Sequence, residues 1–342
     1  MFGSFSFSHY GWFTTVKEYV PSYSEDFVFS HAEEFGYKNQ GYNAGCEPWL
    51  SNEKYPDLHK KLKEYASDLE NYTKAVQNFQ AVVPDLRKTI SETGNHEICK
   101  SLRLHPEGMQ GIFPSNQLSL SRAGYVEPML PPFRSHKICS SRGGRSLMDM
   151  SFLVHDFERM CLQLKPSSKI VLVDMGASLA FHGGQNNPML EIMEQYERFG
   201  FPFDHIYAFE VTPLDTTKVF NELLPERYFS SYHWINAGVS VGENDKMNPL
   251  HSIIKKFDED DLIIVKLDID TPSLELPLVS QLMEGGDDGI YHKLVDQFYF
   301  EHHIYLQELK FAWGRGVNGT IYDSLNVFTT LRKKGIAAHS WP

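Results

Sequence analysis

The stretch "KIVLVDMGASLAF", Lys169 to Phe181, decides the fold. Four consecutive apolar residues, Ile170 to Val173, run into Asp174, and the small residues Gly176, Ala177 and Ser178 follow. A short apolar run bounded by turn residues is the pattern of a strand buried on both faces. It predicts a strand over 169–174 that ends in a carboxylate. Beyond it, glycine tolerates a tight turn, and the small side chains let a ligand approach the backbone.

The same pattern recurs downstream. "HIYAFE" (205–210), "HWINAGVS" (233–240), "DLIIVKLD" (261–268) and "DQFYFE" (296–301) read as further strands, with helical spacing near 187–199, 213–224, 249–257 and 273–284. "DSLNVFTTLRKKG" (323–335) adds a last helix and "IAAHSW" (336–341) a closing strand. Strands alternating with helices imply an α/β fold, a mostly parallel sheet with helices on both faces. The regular pattern begins near residue 148, so 148–342 is read as one domain.

Residues 1–147 read as an N-terminal extension, helical and loop-rich. Up to about residue 55 the chain is rich in Gly, Ser, Asn and aromatics and shows little periodicity. Over 57–83, Leu58, Leu62, Tyr65, Leu69, Tyr72, Val76, Phe79 and Val83 recur at alternating steps of four and three. That is one long helix with a seam, which either packs on the neighbouring domain or pairs two copies of the chain. Arg134, His136, Lys137, Arg142 and Arg145 form a basic patch in a breaker-rich connector. His96 with Cys99 and His136 with Cys139 repeat H-x-x-C, but the pairs lie far apart for a compact zinc site, and unpaired cysteines are expected.

Composition narrows the partners. The net charge of −12 argues against nucleic acid, which rewards clustered Lys and Arg. No apolar run is long enough for a membrane span. The N-terminal residues lack the basic, apolar and small-residue segments of a signal peptide, so a cytoplasmic protein is expected.

In an open α/β sheet, ligands sit at the carboxyl ends of the strands. Asp174 ends the first strand and Glu210 the second, where a carboxylate can accept both hydroxyls of a ribose. The dinucleotide fingerprint G-x-G-x-x-G is missing: Ser178 and Phe181 stand where its later glycines would be. A pyrophosphate would also be repelled by Asp174. A ligand with a ribose and a cationic centre fits better. Asp268 and Asp270 end the fourth strand, and Pro272 opens the next helix. Asp270 is open to two readings, a helix N-cap or a site carboxylate.

Taken in order, "VDMGASLAF", "YAFEVTP", "INAGVS", "VKLDIDTPSLE" and "FYFEHH" resemble the class I S-adenosylmethionine-dependent methyltransferases, specifically the FkbM type, over residues 150–342. The resemblance implies a Rossmann-like methyltransferase sheet with S-adenosyl-L-methionine as cofactor. Asp174, Gly176, Ala177 and Ser178 would line its methionine portion. Glu210 would hold the ribose, Asn236 and Ala237 would lie near the adenine, and Asp268 near the transferable methyl. The implied activity is O-methylation of a small-molecule or glycan hydroxyl. The chain departs from the family pattern at Ala180, in place of a glycine, and at Asp270–Thr271, in place of Glu-Gly. Those departures motivate the alternative, a catalytically inactive methyltransferase-like binding protein.

Transfer to a hydroxyl requires a base. Asp268, Glu301 and His303 are the candidates. Asp268, Asp270, Glu301, His302 and His303 could also converge on a divalent cation. Strand alternation, however, turns Glu301 and His303 to one face and His302 to the other. No metal site is assigned, and handling of substrate or proton is expected.

Overall fold

The computed structural model describes residues 164–177, 179, 187–198, 200–285, 289–302, 327–328 and 330–341. The extension 1–147 with the helix expected over 57–83, the basic patch, the H-x-x-C pairs, Ser178, Ala180 and His303 lie outside the described residues.

Six strands form one sheet: β1 (Ile170–Met175), β2 (His205–Phe209), β3 (Tyr232–Ile235), β4 (Leu262–Leu267), β5 (Gln297–Phe300) and β6 (Ala337–Ser340). Their order is β3-β2-β1-β4-β5-β6, and every pairing is parallel. The described helices are α1 (Pro188–Arg198), α2 (Thr216–Lys218), α3 (Pro249–Ser252), α4 (Pro272–Glu284) and α5 (Tyr291–Leu294). Residues 327–328 and 330–333 are also helical. The architecture is a Rossmann-like α/β sheet, and its strand order reverses between β1 and β4.

Alternation along the strands builds two cores. Ile170 and Leu172 of β1, with Leu262 and Ile264 of β4, meet Met189, Ile192, Met193 and Tyr196 of α1. Val171 and Val173, with Ile263 and Val265, meet Leu278, Val279 and Leu282 of α4 and Phe328 and Leu331 of the last helix. All four β1 side chains from Ile170 to Val173 are at most 1% exposed, which explains why they read as an unbroken apolar run. Burying each stabilises by roughly 1.5–3 kcal/mol relative to exposure.

Two expected helices are shorter than their patterns suggested. The 213–224 segment has three α-helical residues capped by Asp215, whose carboxylate accepts from Thr217 N at 2.9 Å, then a π-turn over Val219–Leu223. The β-branched Thr216 and Thr217 favour helix weakly, and Pro225 ends it. The 249–257 segment is α3 followed by a 3₁₀ turn over Ile254–Lys256. β3 stops at Ile235 rather than continuing to residue 240. There the chain folds back, with Ala237 N donating to Ile235 O at 2.8 Å.

α4 begins as its Pro272 indicated, but Asp270 is not its N-cap. Thr271 holds that position, while Asp270 sits at φ 53 in the left-handed region. Glu275 turns back from the first turn to accept from Ile269 N at 3.0 Å. The loop therefore places its left-handed residue at Asp270. Thr271, at φ −138, needs no glycine.

Candidate functional site

Register lines up one row across the α1 face of the sheet: Trp234, Ala208, Asp174, Lys266, Tyr299 and His339. At its centre, where the strand order reverses, Asp174 and Lys266 are direct neighbours on β1 and β4. Lys266 Nζ lies 3.0 Å from Asp174 Oδ1 and 3.3 Å from Asp268 Oδ2, and it donates to Gly176 O at 3.2 Å. Its three hydrogens thus meet three acceptors. The side chains of Lys266 and Asp174 are 3% and 0% exposed.

Trp341, just beyond β6, closes this group from the side. Its Nε1 donates to Asp268 Oδ2 at 3.1 Å, and Lys266 Nζ lies 5.2 Å from its ring centroid. Tyr299 packs between, 6.0 Å from the indole. Burial opposes the charge on Lys266, but the two carboxylates outweigh it, so the ammonium is held above its ordinary range. Burial pushes the Asp174 carboxyl up. Lys266 pulls it back, while Asp268 and Glu210 push it further up. Asp174 Oδ2 is buried and has no hydrogen-bond partner among the described residues.

Gly176 makes the turn after β1. Its φ is +94, and a Cβ there would stand 1.5 Å from the Asp268 carbonyl oxygen. The tight approach of the β1 turn to the end of β4 therefore requires glycine. Gly176 N and Ala177 N both donate to Phe209 O, at 3.0 and 2.9 Å. The Ala177 side chain is fully buried in the α1-face core, so it meets a ligand only through its backbone.

Glu210 follows β2 and is 7% exposed. Its Oε1 accepts from Thr212 N at 2.6 Å, which turns the carboxylate toward its own loop. Asn236 fixes that loop from outside, donating to Glu210 O at 2.7 Å and Thr212 O at 2.8 Å. Its amide oxygen accepts from Leu214 N at 3.3 Å. Both ends of the Asn236 amide are therefore committed to the loop, and Ala237 lies next to it, half-buried. Val211 stands out beyond Glu210 at 70% exposure, beside Gly238.

On the other side of Lys266, the carboxylates of Asp268, Asp270 and Glu301 each place an oxygen within 4.8 Å of the others. Oxygen donors at this spacing suit a hard divalent cation, and they equally make an acidic rim. Asp268 is 23% exposed and Asp270 is exposed. His302 is buried and stacks on Phe300 with centroids 5.2 Å apart, on the α4 side. Period two thus separates His302 from Glu301, as the alternation predicted.

The sheet therefore brings together Asp174, Gly176, Asp268, Glu301 and, by way of the β2 loop, Glu210. Lys266 and Trp341 are the members that motif reading missed. A lysine inside the apolar run "LIIVKL" was the available signal, because a strand buried on both faces must supply that charge with a partner. Fold and site define a Rossmann-like α/β domain with an acidic strand-end cluster at its switch point. No protein-family model, curated protein or solved structure matches the chain.

Proposed function

We propose that the domain is an S-adenosyl-L-methionine-dependent methyltransferase acting on the hydroxyl of a small molecule or glycan. One observation carries this: the switch point gathers Glu210, Asp268, Asp270 and Glu301 around the buried Asp174–Lys266 pair. That charge pattern favours a cationic, ribose-bearing ligand and disfavours a pyrophosphate. The strand order is also that of dinucleotide-binding folds, but the sequence lacks the glycines for such a ligand, and the strand ends carry mainly carboxylates among the described residues.

The residues fit the cofactor in two respects. Among the described residues only Oε1 of Glu210 is bonded to its loop, which leaves the other oxygen for ribose hydroxyls. The buried Asp174 Oδ2 is an acceptor without a donor among the described residues. When bound, the cofactor supplies an electrophilic methyl on a sulfonium. Gly176 lets the β1 turn close on β4, which sets the floor of the site. Asp268, partly exposed and oriented by Trp341 and Lys266, is placed to take the hydroxyl proton, and Glu301 stands within reach of it. A divalent cation among Asp268, Asp270 and Glu301 would serve the same step by acidifying the hydroxyl. His303 remains a candidate base.

Calorimetric titration of the folded protein with S-adenosylmethionine and S-adenosylhomocysteine tests the proposal. Binding of both is expected, at least tenfold weaker in Glu210→Gln. No heat from either ligand would overturn it. The alternative, binding without transfer, is favoured by the complete burial of Asp174 against Lys266. Cofactor binding with no methylated product from a panel of hydroxyl acceptors would select it.

A further inference from the structure

A second cluster of ionisable side chains lies away from the switch point. His205 opens β2, and His233 is the second residue of β3. Both point to the face opposite Ile206 and Ala208, where Tyr207 joins the α4-side core. Glu210 is beyond the other end of β2, roughly 16 Å away along the strand.

His205 Nδ1 and His233 Nε2 face each other at 3.1 Å, with ring planes 28° apart. Neither imidazole has another hydrogen-bond partner among the described residues. Facing nitrogens at this distance need one hydrogen between them, because two lone pairs repel and two protons clash. Aromatic neighbours hold the rings in place. Tyr207 stacks on His233 at 4.7 Å between centroids, and Phe257 lies 6.1 Å from His205 and 6.3 Å from Tyr207. Both histidines are half-buried, so one side stays open to water.

The separation also matches two ligands of one metal. Imidazole nitrogens bind zinc at about 2.0–2.1 Å, and two of them at an angle near 100° stand about 3.1 Å apart. To hold one ion, the two rings turn so that both lone pairs point at it. Imidazole pairs suit zinc, copper or nickel rather than magnesium or calcium.

We propose that His205 and His233 form a two-imidazole site for a divalent transition-metal ion at the amino end of β2 and β3. The ion takes the place of the shared hydrogen. That hydrogen moves to the outer nitrogen of its own ring, so each imidazole stays neutral with one N–H, and the neutral pair releases no proton. Water fills the remaining coordination positions. The ion would tie the edge strand β3 to β2 through side chains as well as backbone.

The test is calorimetric titration of the intact chain with Zn²⁺ and with Ni²⁺ at pH 7.5, after chelator treatment. The chain has 15 histidines, so the readout is the binding step that single substitutions remove. His205→Gln and His233→Gln should each lose one step or weaken it at least tenfold. The double variant should lose no more than either single one. His205→Ala and His233→Ala serve if a glutamine variant melts early in metal-free buffer. Unchanged affinity and stoichiometry in either single variant, or no binding step in the parent chain, would overturn the proposal.

Discussion

Replacing Lys266 with methionine keeps an unbranched side chain, one atom shorter, and removes the charge that two carboxylates face. The Asp174 contact is 3.0 Å and the Asp268 contact 3.3 Å. With an effective dielectric constant of about 20, Coulomb's law gives roughly 5 kcal/mol of attraction for each contact. Much of that offsets the cost of taking the ions out of water, so the whole of it is not lost. What remains in Lys266→Met is Asp174, fully buried without a counter-ion. Breaking one partner out of a buried pair costs about 3–5 kcal/mol. For a cooperative unit of this size that lowers the melting midpoint by roughly 6–20 °C. The double variant Asp174→Ala/Lys266→Met removes both charges and should recover at least about 1 kcal/mol, since a buried pair replaced by apolar groups is often neutral. Urea unfolding at pH 7 measures both. The pH dependence adds a second arm. In Lys266→Met, burial raises the folded pKa of Asp174 above its ordinary 3.8 with nothing to pull it back. Its contribution is then fully present below that value and lost as pH rises through the folded pKa. The penalty should therefore shrink in acid. A loss under about 1 kcal/mol in the single variant, or a double variant no more stable than the single one, would refute the buried-pair account.

Three further outcomes are expected. Gly176→Ala should cost about 2–4 kcal/mol, because the new Cβ meets the Asp268 carbonyl and the backbone is left-handed; denaturant unfolding within about 0.5 kcal/mol of the parent would contradict it. Lys266 is held above its ordinary 10.5, so its contribution is complete below that pH and fades as pH climbs through the folded pKa. The buried phenols of Tyr228 and Tyr232 act in the same direction, so the diagnostic quantity is the extra alkaline loss of the parent chain over Lys266→Met. Trp341→Phe keeps a ring beside Lys266 but drops the bond to Asp268, a loss of about 1.5–3 kcal/mol for a bond to a charged acceptor. Equal stability of Trp341→Phe and the parent in urea would show that this bond contributes nothing.

Much of the sheet was legible because both of its faces are covered. Ile170–Val173 and Leu262–Val265 are apolar at every position for that reason. The strand-end carboxylates were legible too, since parallel strands deliver their ends to one edge. What they do there was less so. Asp174 read as the last residue of its strand, yet β1 continues through Met175 and Asp174 sits inside it, facing a lysine 92 positions later. Spacing within one segment carries no information about a cross-strand partner that far away. Asn236 likewise looked like part of a ligand surface, but its amide is spent on the Glu210–Leu214 loop. Helix lengths failed where a few residues decide them, as at Thr216, Thr217 and Pro225. The His205–His233 pair depends on the register of β2 with β3, which neither strand states alone.

The indole that touches Asp268 is attached 73 positions after it, just past the strand that ends the described sheet. During synthesis, β1 and β4 can pair and enclose Lys266 well before that strand leaves the ribosome. At that stage Asp268 would lack the donor that orients it. Contacts so distant in sequence also form slowly. A nascent chain halted after β5 would then carry an assembled sheet centre with an unfinished acidic edge. The donor that orients Asp268 would arrive late, with the docking of β6.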